Sequence, residues 1–371
     1  MNETIRVELL ATLVSALVLG LLLTPACVRL VRYIRIFDYP DERKIHQRPV
    51  ALLGGLAIYL AFFLTVSFFF FWNPSLGTEL TWERFLGLYL GCSIILLLGV
   101  FDDLFGSGAQ LKFIVQGIAA AVLFYFGFRI NFITNPLGGV LEFDTFTSFI
   151  LTIFWVAAVT NAINLLDGLD GLAAGISAIA ATTLFIVALN RGDLISAYIT
   201  LALLGALLGF LPSNFFPAKI FLGDTGSLLI GFILAALGML SFNKALTAMA
   251  LVIPIAALSI PVFDTTMAIV RRSRRGTNIF KADKEHVHHL LLQAGLNQRQ
   301  AMLLLCAISA YFGILSYLCI LVPDKYALLL VAIFVISIVL AIRLLRSLQI
   351  SIRHRRQQAT NEDDGADPDR P

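Results

Sequence analysis

The chain has 371 residues, of which 58% are hydrophobic and only 14% are charged. A typical soluble domain carries about 25% charged residues, and a soluble chain of this length has too little interior to hide so much apolar surface. Soluble, disordered and collagen-like classes are therefore excluded. The formal net charge of +3 is small, and the composition predicts an all-α, polytopic integral membrane protein.

Eleven apolar runs have the length of a transmembrane helix, which takes about 20 residues. In chain order they fall at 7–30, 51–71, 84–101, 111–128, 147–164, 172–189, 194–211, 226–242, 246–263, 300–322 and 326–345. The first run lacks a signal-peptide cleavage site and is followed by basic residues, so we interpret it as an uncleaved helix. We expect residues 1–348 to form one membrane catalytic domain and 349–371, basic and then acidic, to form a disordered cytoplasmic tail.

The distribution of Lys and Arg predicts the orientation of these helices. Five fall in the segment 31–50, seven in 264–299 and six after residue 342, whereas the intervening loops carry single basic residues. Cytoplasmic loops carry the excess of Lys and Arg. The pattern therefore predicts an N-terminus outside and a C-terminus in the cytoplasm, which agrees with an odd number of spans.

Carboxylates at predicted helix ends point to a site on the cytoplasmic face. A charged side chain at mid-bilayer costs about 2.5–3.5 kcal/mol, yet six aspartates lie at helix ends on that one side: Asp102, Asp103, Asp167, Asp170, Asp224 and Asp264. A proton or ion pathway would place carboxylates at several depths. Adjacent carboxylates repel unless a cation lies between them or one is protonated, so the Asp-Asp pair alone leaves metal binding, catalysis and a solvated helix end open.

Two further segments add oxygen-bearing side chains to that face. One has four of them at every third residue, and this spacing follows one side of a helix end: Asn161, Asn164, Asp167 and Asp170. A polar, glycine-rich turn is the alternative interpretation. The other segment, Phe221–Ser227, opens the eighth run. Either Asp224 or Thr225 caps that helix, or the helix start, with its two glycines and its hydroxyls, cradles a phosphate, because free N–H groups and the helix dipole favour anions.

A long basic loop follows the ninth run. It carries an arginine cluster and then three histidines, which include Arg271, Arg272, Arg275, His286, His288 and His289. A His-x-His pair is common in zinc sites, whereas arginine and protonated histidine suit a diphosphate. A solvated loop whose arginines only set the topology is the third interpretation.

Together these segments resemble the polyprenyl-phosphate N-acetylhexosamine-1-phosphate transferases. The resemblance runs from Asp38 to Leu292 through five elements in order: Asp41–Pro49 with Gly54 and Gly55, Asp102–Asp103, Asn161–Gly171, Phe221–Ser227 and Asp283–His289. The His-Val-His-His form and eleven spans resemble the branch that uses UDP-N-acetylglucosamine (WecA/TagO type), and the UDP-MurNAc-pentapeptide branch (MraY type) is the alternative. Two loops, at 49–51 and 278–280, differ from the family pattern. Both differences bear on fine substrate preference more than on the chemistry.

The resemblance implies an activity, a cofactor and a location. N-acetylhexosamine-1-phosphate, GlcNAc-1-phosphate in this branch, would move from a UDP-sugar to undecaprenyl or another polyprenyl phosphate with release of UMP. The site would face the cytoplasm in a prokaryotic cell membrane and use Mg²⁺, with Mn²⁺ as a substitute, held by Asp224 and Asn164. Nucleic acid is not an expected partner, and a homodimer is left open.

The resemblance also implies roles for single residues. Asp102, Asp103 and Asp224 would be catalytic, with Asp102 positioning or deprotonating the acceptor phosphate. Phe221 would stack on uracil and Asp170 would accept its N–H. The other implied substrate-binding residues are Lys44, His46, Asn161, Asp167, Arg271, Arg272, Arg275, His286, His288 and His289.

Two hypotheses from other classes remain beside this one. A secondary transporter could use the carboxylates for ion coupling, although the one-sided clustering and the lack of visible sequence repeats count against it. A membrane zinc hydrolase could be built on the histidines.

Overall fold

The computed structural model describes residues 3–40, 48–72, 81–134, 140–243, 264–267, 272–273 and 287–321, with scattered positions between 326 and 347. Within these residues the chain is almost entirely helical, as the composition predicts. In chain order the helices are α1 (Glu3–Ile34), α2 (Gly54–Trp72), α3 (Trp82–Phe105), α4 (Ala109–Tyr125), α5 (Thr145–Leu166), α6 (Leu172–Asn190), α7 (Leu194–Asn214), α8 (Gly223–Asn243), α9 (Val287–Gln293) and α10 (Gln298–Leu321). Two short antiparallel strand pairs join β1 (Phe37–Asp38) to β2 (Val50–Ala51) and β3 (Phe132–Thr134) to β4 (Val140–Glu142).

Eight of the described helices are long and apolar enough to cross a membrane. Helix α4 is a shorter apolar helix of 17 residues. Nine of the eleven predicted runs thus coincide with helices in the described part of the chain, while 246–263 and most of 326–345 lie outside it. The chain is a polytopic membrane protein. The count of eleven, the orientation and the domain boundary at residue 348 stay predictions.

Helix α8 forms the centre of the bundle. Of the residues in its spanning segment, 89% are buried. The helix packs against α2, α3, α5, α6 and α7. Helices in a membrane pack closely where small residues let their backbones approach. Gly55 of α2 and Gly99 of α3 both lie against the first turn of α8, where an added Cβ would overlap backbone atoms of Gly226 or Thr225. The two glycines therefore fix the end of α8 that carries Asp224.

Replacing Gly99 with Ala should lower the thermal stability of the bundle. The new Cβ would lie 2.6 Å from Thr225 N and 2.7 Å from Asp224 O, and backbone atoms cannot turn aside as a flexible side chain can. Overpacking of this kind costs about 1–3 kcal/mol, so the melting temperature followed by tryptophan fluorescence should fall. The matched control is Gly117→Ala on α4, where an added Cβ has nothing within 4 Å. Equal melting temperatures for the two variants would contradict the packing argument.

Three backbone hydrogen bonds connect the start of α2 and the residues before it with the loop that precedes α8. Phe221 N donates to Ala51 O at 2.8 Å, Gly54 N donates to Phe221 O at 3.0 Å, and Gly55 N donates to Leu222 O at 3.3 Å. Ala51 also belongs to β2, which pairs with β1. The chain around residue 50 and the segment before α8 thus form one layer across the end of the bundle.

Candidate active site

Several helix ends meet at one end of the bundle around a cavity of about 640 Å³. The residues that line it come from α3, α5, α7, α8, α9, α10 and the connections between them, and they include Asp38, Asp102, Asp103, Asn164, Asp167, Asp170, Asn214, Phe221, Asp224, His288, His289 and Gln298. Five of the six aspartates that the sequence places on one face are therefore brought together. The sixth, Asp264, is buried and is absent from the described lining residues; its Oδ1 accepts a hydrogen bond from Val287 N at 3.0 Å at the start of α9.

Asp103 binds the N-terminus of α8. Its Oδ1 accepts the N–H of Asp224 at 2.8 Å, and its Oδ2 accepts the N–H of Thr225 at 3.2 Å and the Thr225 hydroxyl at 2.6 Å. A helix N-terminus leaves N–H groups unpaired and favours a negative charge. Gly223, at φ +65°, allows this approach because any side chain there would collide with the Asp103 carboxylate. The cap of α8 thus comes from α3, and it fixes the backbone of Asp224.

Lys112 bridges two further carboxylates of the site, those of Asp102 and Asp224. Its Nζ donates to Asp102 Oδ2 at 2.8 Å and also contacts Asp224 Oδ2. The Ser107 hydroxyl donates to Asp102 Oδ1 from the turn between α3 and α4. The sequence analysis missed Lys112. A lysine in the first turn of an otherwise apolar run is costly in a bilayer unless it is paired, and that signal could have identified it.

Asn164 holds Asp224 from the opposite side. Its Nδ2 donates to Asp224 Oδ1 at 3.0 Å and to the Ser227 hydroxyl at 2.9 Å. Asp224 therefore lies between Lys112 of α4 and Asn164 of α5, with its backbone held by Asp103 of α3. The two residues implied as metal ligands, Asp224 and Asn164, are in direct contact.

The cavity is strongly negative. Burial, with the negative charges of Asp224, Asp103 and Asp170 adding to it, raises the pKa of Asp167 to about 8. An anionic phosphate can enter such surroundings only with cations beside it, because like charges in a poorly solvated site repel strongly. The carboxylate oxygens of the cavity thus suit a divalent cation as well as the ammonium group of a lysine.

Within the described residues, no three His, Cys, Asp or Glu side chains are grouped as a metal site. Magnesium commonly takes only one or two protein oxygen ligands and completes its coordination with water and substrate phosphates. Asp224 with Asn164 meets that requirement.

The Asp-Gly-Leu-Asp-Gly turn after α5 is tied to the loop that carries Phe221. Asp170 Oδ2 accepts the N–H of Ala218 at 2.9 Å. The buried Asn214 accepts the N–H of Gly171 at 3.1 Å and donates to Ile220 O at 2.9 Å. These bonds place Asp170 and Phe221 on the same cavity. Asn214 was missed by the sequence analysis, although an asparagine at the end of an apolar run is the kind of residue that marks a site.

Two of the three predicted histidines line the cavity from α9. The rings of His288 and His289 lie 4.3 Å apart between centroids. His288 is buried and packs on Gly168, where an added Cβ would come within 2.5 Å of the His288 Cε1. The glycine in the turn therefore makes room for the imidazole.

The remaining predicted site residues are not brought to the cavity by the described structure. Asn161 lies on α5 and pairs with Gln116, and Arg272 is half-buried; neither is among the described residues that line the cavity. The others lie outside the described residues: Lys44, His46, Arg271, Arg275 and His286. Their roles stay predictions.

Several known proteins are similar in sequence to this chain over most of its length. Residues 85–242 match the family model described as glycosyl transferase family 4. The chain is 36% identical over 308 residues to a Bacillus subtilis (strain 168) protein named probable undecaprenyl-phosphate N-acetylglucosaminyl 1-phosphate transferase, a match that covers 83% of this chain and 84% of that protein.

Two further relatives carry similar names. The decaprenyl-phosphate N-acetylglucosaminephosphotransferase of Mycobacterium tuberculosis (strain ATCC 25618 / H37Rv) is 38% identical over 333 residues, which cover 83% of this chain and 82% of that protein. The undecaprenyl-phosphate alpha-N-acetylglucosaminyl 1-phosphate transferase of Escherichia coli (strain K12) is 28% identical over 315 residues, which cover 81% of this chain and 82% of that protein. The resemblance predicted from the motifs is confirmed, and the chain belongs to glycosyl transferase family 4.

Proposed function

We propose that this protein transfers GlcNAc-1-phosphate from UDP-GlcNAc to a polyprenyl phosphate and releases UMP, thereby starting a lipid-linked cell-envelope glycan. The observation that carries the proposal is the convergence of Asp102, Lys112, Asn164 and Asp224 at one end of a membrane bundle. The names of relatives that match about four fifths of the chain support the same substrates.

The two substrates explain why such a site belongs at a membrane surface. The acceptor has a hydrocarbon chain, and each buried CH₂ contributes about 0.8 kcal/mol to its retention in the bilayer. The donor is a water-soluble anion of the cytosol. We place the cavity at the cytoplasmic face of the cell membrane, because the basic loops predict that side and both substrates can meet there.

Asp224 and Asn164 would hold Mg²⁺, with Mn²⁺ as a substitute. When bound, the ion would neutralise charge on the transferred phosphoryl group and on the leaving UMP. Asp103 contributes indirectly, since its hydrogen bonds to Asp224 N and Thr225 fix the direction in which the Asp224 carboxylate leaves the helix.

Lys112 and Asp102 would act on the reacting phosphates. A lysine ammonium has three donors, and two of them are directed at Asp102 and Asp224, so the third can bind a phosphoryl oxygen. A phosphate monoester has a second pKa near 6, so the acceptor is mostly dianionic at neutral pH and a strong base is not obligatory. An oxygen of the acceptor phosphate attacks the β-phosphorus of UDP-GlcNAc. The bond between that phosphorus and the oxygen that bridges it to the α-phosphate then breaks, which releases UMP. Asp102 would hold Lys112 in place through their 2.8 Å hydrogen bond and would serve as the base where one is needed.

The rest of the donor would lie along the other cavity walls. Phe221 offers a ring for uracil, and Asp170 lies on the turn tied to the same loop. His288 and His289 would bind the diphosphate or the N-acetyl sugar, because imidazole can donate to both. Asp167 lines the same cavity, where burial and the neighbouring carboxylates raise its pKa, and it would hydrogen-bond to the nucleotide.

The adjacent carboxylates Asp102 and Asp103 should respond differently to replacement by asparagine. Asp103 accepts from α8 with both carboxylate oxygens, so Asp103→Asn turns an NH₂ group towards one set of these donors. Losing a hydrogen bond to a charged group should cost about 1.5–3 kcal/mol of stability, together with activity. Asp102→Asn should lower UMP release about 10- to 100-fold without changing the melting temperature. Thermal unfolding and UMP release measured on the same preparations check both. An unchanged melting temperature for Asp103→Asn would contradict its capping role.

The proposed function is tested with purified protein, Mg²⁺, undecaprenyl phosphate and UDP-GlcNAc. We expect UMP release and a lipid-linked GlcNAc-diphosphate, with less product from UDP-GalNAc and UDP-MurNAc-pentapeptide. Failure with both Mg²⁺ and Mn²⁺, or hydrolysis supported by zinc, would overturn the proposal. In sealed vesicles, impermeant UDP-GlcNAc should react only where the cytoplasmic face is outward, and reaction in vesicles of the opposite orientation would overturn the placement of the site.

A further inference from the structure

A second polar contact lies next to the site, deeper in the bundle. Gln116 of α4 is fully buried, and its side-chain amide pairs with that of Asn161 on α5. Asn161 Nδ2 donates to Gln116 Oε1 at 2.6 Å, and Gln116 Nε2 donates to Asn161 Oδ1 at 3.4 Å. Both residues are absent from the described residues that line the cavity. The pair is therefore placed to act through other residues rather than on substrate.

This amide pair closes a ring of contacts through Asp224. Lys112 precedes Gln116 by four residues on α4, and Asn164 follows Asn161 by three on α5. At 3.6 residues per turn, each of these residues lies on the same helix face as the amide next to it. Lys112 contacts one Asp224 oxygen and Asn164 donates to the other. The spacing of α4 and α5 at the amide pair thus decides whether both side chains reach one carboxylate.

Among the described residues, another side-chain contact between α4 and α5 lies farther from the site, where Phe124 packs edge-to-face against Phe149. The buried residues of α4 in the structure are Gln116, Ala119, Ala120 and Leu123, and Gln116 is the one nearest the site. Leu111, Phe113, Ile114 and Ile118 on the same helix are exposed. A buried amide without a partner is costly in an apolar medium, so an amide pair has a strongly preferred geometry where a leucine contact would not.

We propose that Gln116 is a positioning residue: its pairing with Asn161 holds α4 and α5 at the separation that brings Lys112 and Asn164 onto Asp224. Asn161 then acts through Asn164 instead of touching substrate. The activity readout of this inference rests on the proposed transfer reaction, whereas its metal-binding readout rests only on the proposed metal site at Asp224 and Asn164.

The test compares the single variants Gln116→Leu, Gln116→Asn and Asn161→Gln with the exchanged pair, in which Gln116→Asn and Asn161→Gln are combined. Leucine suits a bilayer interior, and the exchanged pair keeps both amides and their combined length. A misplacement of 1 Å can cost about 100-fold in rate. We therefore expect each single variant to lose about 10-fold or more in kcat with KM for UDP-GlcNAc changed less than about 2-fold. Mn²⁺ binding, followed by electron paramagnetic resonance without substrate, should weaken in parallel, and the exchanged pair should recover both.

The matched control is Tyr198→Phe, which removes another contact between helices. The Tyr198 hydroxyl donates to Glu8 Oε2 at 2.5 Å, between α7 and α1, near the end of α7 opposite to Asn214. It should leave kcat and Mn²⁺ binding unchanged.

Three results would overturn the inference. One is wild-type kcat and Mn²⁺ binding in Gln116→Leu. The second is an equal loss in Gln116→Leu and Tyr198→Phe with equally lowered melting temperatures, which would indicate general destabilisation. The third is a rise in KM without a fall in kcat for Asn161→Gln, which would indicate a substrate contact. If the wild-type protein released no UMP, the proposed function would fail while Mn²⁺ titration of the variants would still decide this inference.

Discussion

Asp224→Asn should reduce UMP release by about 1,000-fold or more, a loss at the upper end of what removal of a charge-stabilising group costs. The substitution keeps the shape of the side chain but removes the charge that Lys112 contacts and the oxygen to which Asn164 donates at 3.0 Å. It also removes the carboxylate that we propose as the metal ligand. Mn²⁺ titration of the same variant should therefore show a large loss of affinity.

The control for this variant is Asp144→Asn at the start of α5. Asp144 is exposed and accepts the N–H of Phe146 at 3.0 Å as a helix cap, and asparagine caps helices about as well as aspartate does. Turnover and Mn²⁺ binding should match the wild-type protein. An Asp224→Asn protein that bound Mn²⁺ with normal affinity would show that the metal lies elsewhere in the cavity.

The gathering of aspartates at one end of the bundle follows from features that the sequence displays. Apolar runs locate the helices, and basic loops predict which ends share a side. Asp102, Asp167 and Asp224 lie at ends that this pattern predicts to be on one side, and they line one cavity in the structure. Hydropathy therefore carries information about the site, because polar side chains are tolerated in a membrane chiefly where they have partners or function.

The partner of each carboxylate does not follow from the same features. Neighbouring residues on a helix point about 100° apart, so Asp102 reaches Lys112 while Asp103 reaches the N-terminus of α8. Which element stands in each direction depends on packing between helices that are distant in sequence. The motif Asp-Asp is visible as a pair, but its division into a partner of Lys112 and a helix cap is visible only in three dimensions.

The same reason accounts for Gln116 and for the different surroundings of Asn161 and Asn164. A three-residue spacing keeps side chains on one helix face but moves each of them along the axis by about 4.5 Å. Asn164 reaches the cavity, while Asn161 lies deeper and pairs with Gln116. Periodicity predicted the shared face correctly. It cannot predict the depth at which a face stops lining a cavity, because that depends on the neighbouring helix.

Lys112→Met should lower kcat by about 100-fold, the usual cost of removing one donor to a phosphoryl or oxyanion group. Methionine keeps the unbranched chain and removes the ammonium that bridges Asp102 and Asp224. Those two carboxylates would then face each other without the lysine charge, and like charges in a partly buried site destabilise it. The variant should therefore melt at a lower temperature than the wild-type protein when divalent ions are chelated.

Added Mg²⁺ should then raise the melting temperature of Lys112→Met by more than it raises that of the wild-type protein. A divalent ion relieves the same repulsion that the lysine relieves, and a ligand that binds only the folded state stabilises it by an amount that grows with the logarithm of the ratio of free ligand concentration to Kd, and so grows as binding tightens. Lys219→Met, at an exposed lysine outside the described cavity lining, is the matched control and should show the wild-type response. Equal Mg²⁺ shifts in all three proteins would mean that Lys112 and the ion do not share Asp224, and Lys112 would then act on substrate alone.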